Sequence, residues 1–320
     1  MTLRRRTLLL GALAAPASAQ PAWPERPIRW IVNFPPGGSA DTLSRLLAER
    51  IGPRLGQPIV VENRPGAGGL IGAELVAKAR GDAHVVMMSS AASHGIGPVL
   101  YPNIPYDPLA DFIHVALVGT FPSVLAVNPG VPAQTLAEFV ALTLGRNGGL
   151  SYGSGGNGTL NHLIGQVFAR AAGIELTHVP YRGSAAALTD TMGGQIPALL
   201  ESLPIALPHL RAGRLRALAT SEAARSPATP EVPSFAEAGF PAVEATNWFG
   251  FSTPAGIPDA VVERWRQEIA LALGDPRLRE RFGAIGVVPG TLGPAEYAAL
   301  VRDEIARWRG VIAAGGIKPD

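Results

Sequence analysis

Repeatedly along this chain a short run of β-branched and aromatic residues ends in a glycine-rich turn that opens an amphipathic helix. Ile28-Arg29-Trp30-Ile31-Val32-Asn33-Phe34 reads as a strand and Pro35-Pro36-Gly37-Gly38-Ser39 as the turn. Leu43, Leu46, Leu47 and Ile51 then lie on one face of a helix. Pro58 to Glu62, Pro65-Gly66-Ala67-Gly68-Gly69 and the helix through Ile71, Leu75 and Val76 repeat the unit, and His84 to Ser90 gives a third strand. Strands that alternate with helices imply a mostly parallel sheet flanked by helices on both faces, an α/β fold.

A second series follows a stretch rich in β-branched residues, Val115 to Val127, which the pattern breaks at Pro122. Strands are expected over 150–154, 176–181, 198–202 and 215–221, with helices over 159–172, 185–192 and 205–212. The segment 224–241 carries four prolines and reads as an irregular excursion before a strand at 247–253. Helices follow over 261–273, 277–282 and 295–313, with Pro258, Pro276 and Pro294 where helix starts tolerate proline. Two α/β units and a helical tail that folds back on the first predict two lobes joined near Val124 and Trp248. Ligands bind beyond the carboxyl ends of strands in open parallel sheets, which puts the pocket in the cleft between lobes. The expected division is 20–123 plus 248–320 for lobe 1 and 124–247 for lobe 2.

Composition narrows the chemistry. The 320 residues are 47% hydrophobic and 16% charged, which is too apolar for a disordered chain. The lack of cysteine removes disulfides, thiolate metal sites and cysteine nucleophiles. Arg4, Arg5 and Arg6, the apolar run Leu8 to Ala15 and Ala17-Ser18-Ala19 form an export signal over 1–19, cleaved after Ala19 by a Sec or twin-arginine route. Cleavage leaves 24 basic residues against 25 acids, a net charge of −1. No basic cluster is denser than Arg277, Arg279 and Arg281, so nucleic acid is not an expected partner.

The loop Phe34 to Ser39 places backbone N–H groups at a helix start, where an anion binds; a purely structural turn, capped by Ser39 or Asp41, is the alternative. It lacks the Gly-Lys-Ser/Thr ending of a nucleotide-binding P-loop. Gly153-Ser154-Gly155-Gly156-Asn157-Gly158 has the spacing of a dinucleotide fingerprint, but Glu175, the nearby acid, precedes the next strand instead of closing it. The same loop reads better as an anion nest to which Ser154, Asn157 and Thr159 add donors. Gly149-Leu150-Ser151-Tyr152-Gly153 spells a hydrolase elbow, with Ser151 at the wrong end of its strand. The histidines at 84, 94, 114, 162, 178 and 209 show no metal-ligand spacing. Tyr181-Arg182-Gly183-Ser184 supplies a further turn on the same edge. Glu201 is either a helix-start charge or a polar group aimed into the cleft, and His162 either a packed helix residue or a ligand contact.

Five blocks resemble the receptors of tripartite tricarboxylate transporters, also called the Bug family. They are Phe34-Pro35-Pro36-Gly37-Gly38-Ser39-Ala40-Asp41, Val61 to Gly69, Ser154 to Gly158, Val179 to Ser184 and Trp248-Phe249-Gly250, and the resemblance runs on to Ile305-Ala306-Arg307-Trp308. It implies a type II-like periplasmic binding protein: a monomer whose lobes close on a small organic carboxylate or amino-acid-like ligand for a membrane transporter or a sensor. No catalytic residue, metal or cofactor is implied. Carried over, the contact loops fall on Phe34, Pro36, Gly37, Gly38 and Ser39, on Ser90 and Ala91, and on Ser154, Gly155, Asn157, Gly158, Thr159 and His162. Tyr181, Gly183, Ser184 and Glu201 complete them. The chain departs from the family at Asp82-Ala83-His84, at Pro197, which argues for an edge or strand start, and at Glu201, where members often carry Asp or Ser. The longer acid favours a ligand with an ammonium or hydroxyl group.

Overall fold

The computed structural model describes residues 23–318, so the expected export signal at 1–19 lies outside the described residues. The first strands are β1 (Ile28–Val32), β2 (Ile59–Asn63) and β3 (Val85–Ser90), with helices α1 (Ser39–Leu55) and α2 (Leu70–Lys78) between them. A π-helical turn over 91–96 leads into the short α3 (Gly97–Leu100). The long strand β4 (Phe112–Val127) and helix α4 (Leu136–Leu144) precede β5 (Leu150–Ser154), α5 (Leu160–Ala172), β6 (Leu176–Pro180), α6 (Ser184–Met192), β7 (Ala198–Ser202), α7 (Leu203–Arg211) and β8 (Arg216–Thr220). After an irregular excursion come β9 (Thr246–Pro254), α8 (Asp259–Gly274), α9 (Pro276–Ala284), β10 (Val288–Pro289) and α10 (Pro294–Gly315).

The strands join in the order β2-β1-β3-β9-β4-β7-β5-β6, with β8 and β10 also paired to β4. At either end three strands are parallel, β2-β1-β3 and β7-β5-β6. The middle is different, because β9 and β4 run antiparallel to their neighbours. Within each half the strands are mostly parallel, as expected, and the linking strands β4 and β9 make the whole sheet mixed. The βαβ logic that forces parallel strands does not reach β4 and β9, which carry the chain between the halves without a covering crossover.

The expected break at Pro122 is absent. Residues 112–122 of β4 pair with β9, and 123–127 pair with β7 and β8. Pro122 stands where the strand changes partners, so its missing N–H interrupts neither ladder. The next N–H, of Ser123, donates to Ser221 Oγ at 2.9 Å. Pro197 likewise precedes β7, an interior strand, so it marks a strand start and not an edge.

Further elements escaped the pattern: the π-helical turn with α3, the short β10, and α4, although Thr135-Leu136-Ala137-Glu138 has the spacing of a capping box. Thr135 Oγ1 accepts from Glu138 N at 3.2 Å and Glu138 Oε2 from Gln134 N at 2.6 Å.

Each half has its own core. Trp30, Phe251 and Trp265 meet edge-on and tilted at 4.6–4.9 Å for the Trp30–Phe251 and Phe251–Trp265 pairs, beneath α1 and α8. Phe139, Tyr152 and Phe168 anchor the other half. The tail folds back on the first half only in part. Tyr297 and Val301 of α10 pack against Leu117 and Trp248, while Trp308 and Ile312 pack into the second core. α10 is thus shared by both halves.

A buried polar cluster behind β3 makes a pH prediction. His114, 4% exposed, hydrogen-bonds through Nδ1 with Ser252 Oγ (3.0 Å) and through Nε2 with the Pro108 carbonyl (2.9 Å). Burial pushes its pKa down to about 4. Below the ordinary histidine value the unfolded chain takes up a proton that folded His114 refuses. Stability therefore falls from about pH 6.5 to about pH 4, by about 3 kcal/mol for this group, and levels off below. His114→Gln, which cannot charge, should flatten the stability curve between pH 7 and pH 4 by that amount. Superimposable curves for the two proteins would show that His114 is not responsible.

Candidate functional site

A partly open cavity of about 230 Å³ lies at the seam between the halves. Its wall is built from element ends. The loop after β1 gives Phe34, Pro36, Gly38 and Ser39; the end of β3 gives Ser90 and Ala91; the loop after β5 gives Gly155 and Thr159. Gly183 and Ser184 come from the start of α6, and Glu201 from the end of β7. Helices α1, α5, α6 and α7 therefore begin at this cavity, each bringing its unpaired N–H groups and the positive end of its dipole. The N-cap residues Gly38, Gly183 and Ser202 make no side-chain capping bond, whereas Thr159 caps α5 through His162 N at 3.3 Å. Uncapped helix starts around one small cavity are suited to an anion.

The remaining expected residues fall elsewhere. Gly37 is absent from the wall; its N–H donates to Asp41 Oδ2 at 3.0 Å, which pins the turn. Ser154 is fully buried, with its hydroxyl 2.7 Å from His178 Nε2. His162 is buried in α5 and stacks on His178 at 4.2 Å. Burial pushes the pKa of His178 down to about 3. Gly158 lines no part of the cavity, and Asn157 and Tyr181 line an adjoining crevice of about 580 Å³ with Pro65 to Gly69. Cavity and crevice meet where the halves touch. Gly183 has φ +114°, and a Cβ there would lie 2.8 Å from Pro35 Cγ, so glycine is required on both counts.

The sequence reading missed Phe121, Asn161 and Asn247. Phe121 and Asn247 lie on the crossing strands, which carry no turn signature. Asn161, two residues past the Thr159 cap, has no local signal beyond its place in the first turn. Tertiary structure links it into a hydrogen-bond chain. Asn247 Nδ2 donates to Ser123 Oγ (2.8 Å), Ser123 Oγ to Asn161 Oδ1 (2.5 Å), and Asn161 Nδ2 to Glu201 Oε1 (3.0 Å). Ser202 donates to the same oxygen through its N–H at 2.7 Å and its hydroxyl at 2.9 Å. With its proton so used, Ser202 Oγ accepts from Ser39 Oγ at 2.7 Å. The chain of bonds runs from the crossing strands to α1 and ties the halves together across the cavity.

Glu201 proves to fill both roles left open for it, meeting the N–H at a helix start and lining the cavity. Burial, its largest influence, pushes its pKa up, against the donors of Ser202, Ser184 and Asn161. The Ser184 hydroxyl stands near without reaching hydrogen-bonding geometry to Oε2.

Nothing here assembles catalytic chemistry. Ser151 is the second residue of β5, paired with Thr177, with the start of α5 well beyond it. Glu175 precedes β6, far from a ribose-binding position. Among the described residues no group of acids and histidines gathers as metal ligands do.

Residues 43–317 match the family described as the tripartite tricarboxylate transporter family receptor. Protein BugT of Bordetella pertussis is 38% identical over 307 residues, covering 96% of this chain and 94% of that one. Among solved structures, Rpa4515 of R. palustris with adipate superposes with a TM-score of 0.89 at 34% identity, covering 93% of this chain and 100% of that one. MatC (Rpa3494) from Rhodopseudomonas palustris with bound malate gives 0.86 at 31% identity, covering 91% and 100%.

Proposed function

Because this chain belongs to the tripartite tricarboxylate transporter receptor family, and is a solute receptor rather than an enzyme, we propose that its cavity holds a small organic carboxylate. The observation that carries this reading is the meeting of four helix starts around one small cavity. A volume of about 230 Å³ falls below the ~300–1,000 Å³ of drug-sized sites, which favours a small ligand. The adipate and malate held by the two related structures support the same class.

The contacts in this proposal are Phe34, Pro36, Gly38, Ser39, Ser90, Ala91, Gly155, Thr159, Asn161, Gly183, Ser184 and Glu201, with Asn247 and Trp248 from the crossing strand. The lobes are 23–123 with 248–318, and 124–247. Opening about β4, β9 and α10 admits the ligand, and closure re-forms the Ser39–Ser202 bond. The closed monomer presents its surface to the membrane subunits of the transporter. Export to the periplasm through the signal at 1–19 completes the reading; family membership supports it.

A thermal-shift screen of carboxylates, amino acids and nucleotides tests the proposal. A ligand at about 1,000 times its Kd adds roughly 4 kcal/mol of stability, a clear rise in Tm. Stabilisation confined to carboxylates is expected; stabilisation by nucleotides alone would overturn the reading.

A further inference from the structure

Glu201 is the one acid among the described residues lining the cavity, and exposed Arg182 the one cation. The two oxygens of its carboxylate are served unequally. Oε1 accepts three hydrogen bonds, from Asn161 Nδ2, Ser202 N and Ser202 Oγ. Oε2 is as deeply buried and accepts none. A buried carboxylate oxygen without a donor has given up its hydration for nothing, and native structures seldom leave one so. The Ser184 hydroxyl stands beside Oε2 and helps to hold down the pKa of Glu201, but it does not reach hydrogen-bonding geometry to that oxygen.

The setting of Oε2 says what can. It lies beside Gly155 and Ser184, both part of the cavity wall. A Cβ on Gly155 would stand 3.5 Å from Oε2 and 3.3 Å from Ser184 Oγ, so the bare backbone leaves room on that side of the carboxylate. While Glu201 is ionised a simple anion is disfavoured there, because it would bring a second negative charge against the first in a buried place. The helix starts of α1 and α6, without side-chain caps, meet a carboxylate; Oε2 asks for a donor.

Resting on the receptor reading above, we infer that Glu201 is the specificity-determining residue of the cavity. It selects carboxylates that also carry an ammonium or hydroxyl group, with that donor on Oε2 and the carboxylate at the helix starts. Unsubstituted carboxylates leave Oε2 unserved and bind more weakly. The partial demand on Oε1 is already met within the protein, so the discrimination rests on one oxygen.

The experiment is calorimetric titration of the dialysed protein with matched sets: succinate, malate and aspartate; glutarate, 2-hydroxyglutarate and glutamate; adipate and 2-aminoadipate. Within the set of fitting length, a substituted acid should bind at least about tenfold tighter than its unsubstituted parent. Glu201→Gln keeps the shape and leaves its carbonyl for Asn161 and Ser202, but turns an NH₂ toward the ligand. The preference should then shrink to less than about twofold or reverse. Equal or tighter binding of unsubstituted acids to the wild type overturns the inference without any variant. So does a preference that survives Glu201→Gln. Uptake of about one proton per unsubstituted diacid bound, measured in buffers of different ionisation enthalpy, also overturns it, since a carboxyl pair sharing a proton would then occupy the site. If unsubstituted acids bind well, the receptor reading stands and this inference alone falls; if no carboxylate binds, both fall.

Discussion

Asn161→Ala is expected to destabilise the protein by about 3 kcal/mol and to weaken carboxylate binding about tenfold or more. Asn161 is the middle link between the crossing strands and the cavity. Its amide accepts from Ser123 Oγ at 2.5 Å and donates to Glu201 Oε1 at 3.0 Å, and all three residues are buried. Removing a donor from a buried carboxylate costs about 1.5–3 kcal/mol, and stranding the Ser123 hydroxyl adds about 1 kcal/mol. Affinity suffers because Glu201 positions Ser202, and Ser202 meets Ser39 from the other half. Asn161→Asp, nearly the same in shape, should do worse, since it sets a second carboxylate against Glu201. Urea unfolding and titration with the ligand found in the thermal screen measure both effects. Wild-type stability and affinity in Asn161→Ala would remove the bond chain as a determinant of the closed cavity.

The second large effect belongs to Gly250→Ala, expected to cost about 3 kcal/mol or more and to disturb the wall formed by Trp248 and Phe249. Gly250 lies in β9, paired with Ser89, where the strand passes directly over the Tyr297 ring of α10. A Cβ at this position would stand 2.0 Å from Tyr297 Cζ and Oη, and the ring is fully buried. It cannot step aside freely: Tyr297 Oη and Ser89 Oγ share a hydrogen bond of 2.7 Å, and Ser89 is bonded on to Ser252 at 2.7 Å. The strand or α10 must yield. Since α10 packs on both halves, the displacement should reach the seam. Thermal unfolding of Gly250→Ala alone and with Tyr297→Leu checks the argument: shortening the ring should recover a large part of the loss. A Gly250→Ala protein within about 0.5 kcal/mol of wild type would show that the strand has room that the geometry denies.

What the sequence by itself determined was local. Strand and helix periodicity, and the glycines and prolines between them, located β1 to β3, β5 to β9 and the helices α1, α2 and α5 to α10, because each is written in neighbouring residues. The same punctuation placed the loops after β1, β5 and β6 at strand ends, and with them Phe34, Ser39, Gly155, Thr159 and Gly183 on the cavity wall. Proline misled where its meaning is not local: Pro122 reads as a break, yet it sits where β4 exchanges β9 for β7 and β8. Only the tertiary structure decided which side chains turn inward and which partners lie across the seam. Ser154 and His162 stand in the right loop and helix but are turned into the protein. Asn161 and Asn247, with no motif of their own, meet through Ser123, and Ser39 meets Ser202 from 163 residues away. Periodicity reports which face of an element is buried. The oxygen left waiting on Glu201 is a property of several elements packed together, and no single stretch of sequence contains it.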